Sequence, residues 1–466
     1  MHSEVPARMV VLGLDGLPYS LARELCASGC TPNLARLMPG CAPVSPGKAH
    51  GVDPDVSQPA ACSIRAELPD LSPVNWTSFY TAQGPEEHGV FGFTRIHAID
   101  YTMALADFAQ VAVPTLFDRM GERGLTSRVV NLPNTYPAWP IPGMLISGFV
   151  AHDLARAVHP PFLLGPLMGA GYILESDTTN GVTDPQGLLA GLARSLDGRR
   201  GALNLLWPDL AWNLFVFVLT ETDRLFHFLW DGVTDSAHPQ HAGCMALLAQ
   251  WDALVGDVLD RVDALPGGGR LMVLADHGFT GLITEVDINA WLREKGYLQL
   301  TCAPEAAPEL DGTLIRADST AFALDPGRIY LHTRRRFGNG CLSDEEAATL
   351  ARRIGDELMQ LAYDGAPVLR AVHTADALYP GTLRDVAPDL VCEAHRGFDL
   401  KAKFNRTAVF GHFGRTGTHT VDDAFFYDSY GSRPATVRGA GAEVLAHFGL
   451  SAPTGKGAPS LIMAAR

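Results

Sequence analysis

Leu271-Met272-Val273-Leu274-Ala275-Asp276-His277-Gly278 reads as a buried strand that ends in two metal-competent side chains. An apolar run of this length without alternation suits a strand covered on both faces. A carboxylate beside an imidazole at a strand terminus offers O and N donors on a rigid support, as a divalent cation requires. Alone, the tripeptide Asp276-His277-Gly278 is better read as a turn, with Asp as a cap and Gly at a positive backbone angle. Partners elsewhere in the chain must decide for metal.

Outward from this stretch, short apolar runs alternate with helix-length amphipathic segments. That alternation predicts an α/β fold with a largely parallel central sheet and helices on both faces. Strands are expected at Met9 to Leu14, Arg128 to Leu132, Met144 to Phe149, Leu214 to Leu219 and Leu271 to Ala275. Helices are expected at Tyr19 to Ala27, Thr115 to Arg123, Gln240 to Ala264 and Ile288 to Lys295. Residues 283–403 differ in texture: a turn-rich stretch, a short strand Arg328 to His332, the capping box Ser343-Asp344-Glu345-Glu346, and strands at Val368 to His373 and Asp389 to Glu393. They are expected to form a smaller inserted α+β cap, with residues 1–282 as the catalytic core and 404–466 as its C-terminal part. Gly40 to Asp70, rich in Pro, Ala and Ser, is expected as an extended loop.

The 466 residues are 47% apolar, enough for a large packed core, yet no uninterrupted apolar run approaches the length of a membrane span. The N-terminal Met1 to Arg8 lacks a signal-like apolar core, so a cytoplasmic protein is expected. Eight cysteines without paired CxxC spacing argue against a zinc ribbon or a disulfide framework; Cys26 and Cys30 read as small half-buried helix residues. A formal net charge of -15 disfavours bulk nucleic acid and anionic membranes as partners. A small anionic substrate would need imported positive charge, which bound divalent cations supply.

Four further places match the Asp-His pair in position or chemistry. Asp15 ends the first strand between Gly13-Leu14 and Gly16, where backbone and ions can approach closely. Asp223 and His227 come after the Leu214 to Leu219 strand, and at helical spacing they face the same way and can clamp one cation. Gly417-Thr418-His419 offers another imidazole, with His412 as a weaker candidate. Ser72-Pro73 reads as an N-cap followed by Pro at the first helical position, and its hydroxyl would sit at the positive end of a helix dipole.

The order of Gly13-Leu14-Asp15-Gly16, Ser72-Pro73-Val74-Asn75-Trp76, Asp223-x-x-x-His227, Asp276-His277-Gly278 and Gly417-Thr418-His419 resembles the alkaline phosphatase superfamily. More narrowly, it resembles the type I phosphodiesterase and nucleotide pyrophosphatase branch and its phosphohydrolase and phosphomutase relatives. Thr31-Pro32-Asn33-Leu34, Gly84 to Val90, Asn131 to Pro137, Thr220 to Arg224 and Ala387 to Leu390 are similar to segments of those relatives, so the resemblance runs from Met9 to about Tyr430. It implies an alkaline phosphatase-like fold and two divalent metals, zinc with manganese as the alternative. Asp223, His227 and His419 would hold the first; Asp15, Asp276 and His277 the second, with Ser72 as nucleophile bridging toward it. Asn75 matches a position that donates to a phosphate oxygen in the nucleotide pyrophosphatases. Two departures stand out: the branch usually carries Thr as nucleophile with Pro two residues later, and Thr81-Ala82 replaces its Thr-Gly. A slip of register there would make Thr77 the nucleophile.

The implied activity is hydrolysis of phosphate diesters or pyrophosphates of a small phosphorylated substrate through a phosphoserine. A monoesterase or phosphomutase on the same scaffold is the alternative, and a non-catalytic binding protein retaining the fold is a second. A sulfatase is disfavoured, since no Cys-x-Pro-x-Arg surrounds Ser72. His88 reads as a loop-ordering residue, Arg334 to Arg336 and Lys401, Lys403 and Arg406 as solvated charges, and Trp76, Phe91 and Phe93 as core or an apolar wall.

Overall fold

The computed structural model describes residues 8–41, 59–381, 383 and 385–453; the N-terminal residues 1–7 and most of the Gly40 to Asp70 loop lie outside them. The chain forms two compact units: one of Met1–Gln83, Asp107–Thr280 and His419–Arg466, the other of Gly84–Ala106 and Gly281–Thr418.

The first unit is built on an eight-stranded sheet. Its strands run Cys62–Ile64, Ala424–Asp428, Arg270–Leu274, Met9–Leu14, Leu214–Leu219, Ser127–Leu132, Gly143–Ser147 and Val158–His159. The five from Arg270–Leu274 to Gly143–Ser147 are parallel, and antiparallel strands flank them on both sides. Every residue of Met9–Leu14 and Leu214–Leu219 is buried, as a strand covered on both faces requires. Burying a side chain such as Phe215 or Phe217 contributes roughly 2 to 3 kcal/mol. Gly13 registers with Val218 on one side and Leu274 on the other, so three strands release their chains at one carboxyl edge. Open α/β sheets place ligands at that edge.

The predicted strands all form, within one or two residues at their ends. The helices Tyr19–Ala27, Leu116–Gly121 and His241–Asp263 also form, the second opened by a Thr115–Asp118 capping box. Among the elements that go beyond the sequence reading, two have a clear cause. The expected Gly40 to Asp70 loop contains the edge strand Cys62–Ile64, too short to show a period of its own. Pro185–Leu206 is a 22-residue helix whose four glycines dilute the helical signal. His241–Asp263 is long and apolar enough to cross a membrane, but 56% of its apolar window is buried inside the protein. Asp252 on that helix accepts the amides of Asn33 and Leu34, which is the work of a core helix. All eight cysteines are unbridged.

Arg270 clamps the sheet to the C-terminal helix Val437–His447. Its guanidinium binds Asp428 through two bonds of 2.9 and 2.6 Å and Glu443 at 3.0 Å. Burial opposes the charge on Asp428, but Arg270, Ser432 and the Tyr430 amide outweigh it and hold the carboxyl below its usual range. A depressed carboxyl stabilises the fold above its unfolded pKa, and that contribution is lost as pH falls through the folded value. Asp428→Asn is expected to cost about 2 kcal/mol at neutral pH by leaving the buried guanidinium with Glu443 as its carboxylate partner, and to flatten the acid limb of the stability profile. Denaturant melts of the two proteins between pH 3 and 7 check this.

The second unit holds a four-stranded antiparallel sheet ordered Ala321–Leu324, Arg328–Leu331, Leu390–Ala394 and Leu369–Thr374, with the helix Asp344–Leu358 capped by Ser343. A three-stranded sheet joins Phe398–Lys401, Thr284–Asp287 and Phe410–Gly411. The unit is larger than the expected 283–403 cap: it takes in 404–418 and the distant Gly84–Ala106. Phe404 and Val409 belong to its apolar core. Arg328, 1% exposed, donates to the Thr94 carbonyl, and Tyr101 bonds His332 at 2.5 Å. The 84–106 piece carries the one-turn helix Pro85–His88 and the short hairpin Thr94–Ile96 and Met103–Leu105, elements too short to show a readable period.

Candidate metal centre

The six proposed ligands converge in the first unit as two adjoining clusters. Asp223, His227 and His419 form one, Asp15, Asp276 and His277 the other, and within each the donor atoms lie within 4.8 Å of one another. His277 Nε2 is 3.9 Å from Asp223 Oδ1, and the His277 and His419 rings stack at 3.7 Å, so the clusters abut.

Local chemistry explains the convergence. Asp15 leaves the Met9–Leu14 strand and Asp276 the neighbouring Arg270–Leu274 strand. A Cβ on Gly13 would lie 2.6 Å from the Trp76 ring, so the glycine lets that indole reach Asp15 Oδ2 at 3.2 Å. Gly16 has φ +69°, which favours glycine, and a Cβ there would press on Asp223 at 3.2 Å. Its amide donates to Asp276 Oδ1 at 3.1 Å. Asp223 and His227 sit one turn apart on the helix Glu221–Thr234, and Thr222 Oγ1 ties that helix to the Asp15 carbonyl at 2.6 Å.

Hydrogen bonds aim the imidazoles. His419 Nδ1 lies 2.8 Å from the Asp70 carbonyl and His277 Nδ1 3.1 Å from the Gly278 carbonyl. A carbonyl only accepts, so each Nδ1 carries the proton and each Nε2 lone pair points into its cluster. His419 Nε2 and His227 Nε2 stand 3.0 Å apart, two nitrogens converging on one place. Phe279 packs against His227 and His419 at 4.9 and 5.2 Å and forms an apolar wall beside them.

The donor set fits cations. Burial and the nearby Asp276 and Asp223 carboxylates push the Asp15 carboxyl well above its usual range. Asp276 Oδ2 is buried without a hydrogen-bond partner. Burial also opposes charge on Asp223, but His227, Arg224 and His419 outweigh it and hold the carboxyl well below its usual range. Burial lowers the His277 pKa, which favours the neutral imidazole that a metal needs. Burial opposes charge on His419 as well, but the Asp223 carboxylate and Asp70 outweigh it and raise its pKa. Three crowded buried carboxylates are costly alone and suited to divalent cations.

Ser72 differs from its expected role as a cap. Leu71 is the N-cap of the helix Ser72–Thr81, with no side-chain capping bond, and Ser72 is the first helical residue. Its hydroxyl is therefore free to face the second cluster, 3.3 Å from His277 Nε2 and 3.4 Å from Asp15 Oδ1. Asn75 does not match the expected phosphate donor. It is fully buried, accepts the Glu67 amide at 2.6 Å, and turns its NH2 toward the carbonyls of Leu71, Pro69 and Glu67. It orders the loop that precedes Ser72. Thr77 is also fully buried and bonded to Tyr80 and Asn134, away from both clusters. His88 accepts the Val90 amide, in keeping with a loop-ordering role. Sequence reasoning alone does not single out Arg224 or Phe279; Arg224 lies within the Thr220 to Arg224 motif, whereas a lone Phe after Asp-His-Gly carries no signal.

The sequence matches the type I phosphodiesterase / nucleotide pyrophosphatase family over residues 9–422. Among solved structures, murine ectonucleotide pyrophosphatase/phosphodiesterase 5, an inactive form in complex with AMP, aligns at TM-score 0.55 and 11% identity, covering 97% of each chain. Phosphonoacetate hydrolase from Sinorhizobium meliloti 1021, in complex with phosphonoformate, aligns at TM-score 0.53 and 15% identity over 91% of this chain and 90% of its own. At these identities the likeness is one of fold. No curated protein sequence matches significantly. With the family match spanning nearly the whole chain, the protein belongs to the type I phosphodiesterase / nucleotide pyrophosphatase family.

Proposed function

We propose that the chain is a two-metal phosphohydrolase that cleaves phosphate diesters or pyrophosphates with Ser72 as nucleophile. The observation that carries this reading is the place of the Ser72 hydroxyl, uncommitted to capping and within 3.4 Å of both Asp15 and His277. Zinc suits the mixed O and N donors of Asp223, His227 and His419 and of Asp15, Asp276 and His277, with manganese as the alternative. When bound, the cations supply positive charge for the attacked phosphate and the departing oxygen and ease ionisation of the hydroxyl.

The chain's own groups supply the rest. The start of the Ser72–Thr81 helix presents Oγ where the dipole favours an anionic phosphate. Asp15 Oδ1 accepts from the hydroxyl and orients it, while Trp76 fixes the opposite carboxylate oxygen. Oγ attacks phosphorus as its proton passes to solvent, the bond to the leaving oxygen breaks, and the leaving group departs as an alcohol from a diester, after gaining a proton, or as a phosphate from a pyrophosphate. Water then attacks the phosphoserine from the opposite side and regenerates the hydroxyl. Phe279 shields the histidines from solvent on one side.

A monoesterase or phosphomutase is the second reading, and one observation favours it: Asn75, whose position matches a phosphate donor of the nucleotide pyrophosphatases, is committed to the backbone. The test is a panel of aryl monoester, diester and phosphonate substrates with zinc and with manganese, on protein purified without chelator. Diester turnover above monoester turnover, with about two metals per chain, is expected. Faster monoester turnover selects the second reading, and protein without stoichiometric metal overturns the enzyme in favour of a binding protein.

A further inference from the structure

The two oxygens of Asp223 have different surroundings. Oδ1 faces the imidazoles, 3.2 Å from His419 Nε2 and 3.5 Å from His227 Nε2, whereas Oδ2 is bound by Arg224 Nη1 at 2.5 Å. Successive residues on a helix do not face each other, so this contact needs the arginine to fold back and be held there. Glu175, from outside the helix, accepts from Arg224 Nε at 3.3 Å, and the Phe149 ring lies 4.2 Å from the guanidinium carbon. Glu175 is fixed in turn by Thr220 Oγ1 at 3.3 Å, itself within 3.4 Å of Asn131 Nδ2. The side chains of Arg224 and Glu175 are 15% and 17% exposed, so the relay is largely shielded from water. A planar guanidinium can bridge two carboxylates in this way; a lysine ammonium cannot reproduce the fork.

We propose that Arg224, held by Glu175, is a positioning residue that occupies one oxygen of Asp223 and so limits the carboxylate to a single donor in the Asp223, His227 and His419 cluster. The inference rests on the two-metal reading of the site. With one donor from each residue, three protein ligands leave the remainder of the shell open, as catalytic zinc sites require. Freed from Arg224, the carboxylate has a second oxygen with which to close that opening. Arg224 thereby sets coordination number without touching metal or substrate.

The test uses the full chain loaded with cobalt, whose visible absorption weakens as coordination number rises. In Arg224→Met the bands are expected to lose intensity while cobalt content is kept, and kcat to fall about 10- to 100-fold with little change in KM. Arg224→Lys should fail to restore the bands. Glu175→Gln, which alters no metal donor and serves if the arginine variants do not fold, should shift the spectrum in the same direction by less. Bands unchanged from a cobalt-loaded wild type overturn this inference alone. A rise in KM at constant kcat also overturns it, since Arg224 would then contact substrate. A wild type that binds no cobalt overturns the metal reading and this inference together.

Discussion

Ser72→Ala should lower turnover of an aryl phosphodiester by about 10⁴-fold or more, with both metals still bound. The hydroxyl supplies no cap to its helix, since Leu71 occupies the N-cap without a side-chain bond. Its removal leaves all six other donors and the helix start in place, so stability should change by less than about 1 kcal/mol. Thr77 cannot substitute, because Tyr80 and Asn134 hold its hydroxyl in the core. The measurements are kcat, metal content by elemental analysis, and a thermal melt on the same preparation. Activity near that of the wild type would place the nucleophile elsewhere.

The second large effect concerns Asp15 and the metals together. Without cations, Asp15 sits 2% exposed, crowded by Asp276 and Asp223. Ions present at about 1,000 times their dissociation constant stabilise the native state by about 4 kcal/mol per site. Chelation of the wild type should therefore lower its melting temperature by several degrees. In Asp15→Asn the repulsion is relieved and a donor is lost. The metal-free variant should be at least as stable as the metal-free wild type, while the loss on chelation shrinks by about half or more. Equal shifts in the two proteins would remove Asp15 from the ligand set.

The parallel sheet was legible because its central strands Met9–Leu14, Leu214–Leu219 and Arg270–Leu274 carry continuous apolar runs that give way to polar residues within two positions of their ends. The proposed ligands were legible for different reasons: Asp15, Asp276 and His277 come at the ends of their apolar strands, at the carboxyl edge, Asp223 and His227 show helical spacing after Leu219, and His419 stood out only through the resemblance of Gly417-Thr418-His419. What the sequence hid is pairwise. The commitment of Asn75 to the carbonyls of its own preceding loop depends on the path of residues 67–71, which no periodicity announces. Whether Ser72 or Leu71 caps the helix turns on a single residue of register, yet it decides whether the hydroxyl is free. The extent of the second unit was hidden as well, since Gly84–Ala106 joins it through contacts such as Arg328 to Thr94, more than two hundred residues apart.

The first unit is made of three separate stretches, and its last donor opens the third: His419 is the residue at which the chain returns. Roughly 140 residues lie between His277 and His419, so a ribosome adding about 5 to 20 residues per second takes roughly 7 to 28 seconds to supply the final imidazole after the others. During that interval the nascent chain has the Asp15, Asp276 and His277 donors but only two of three at the neighbouring cluster. On the proposed two-metal reading, capture by the full pair of sites is thus deferred until the inserted unit has emerged, which would make loading a late step of biogenesis rather than a companion of early collapse.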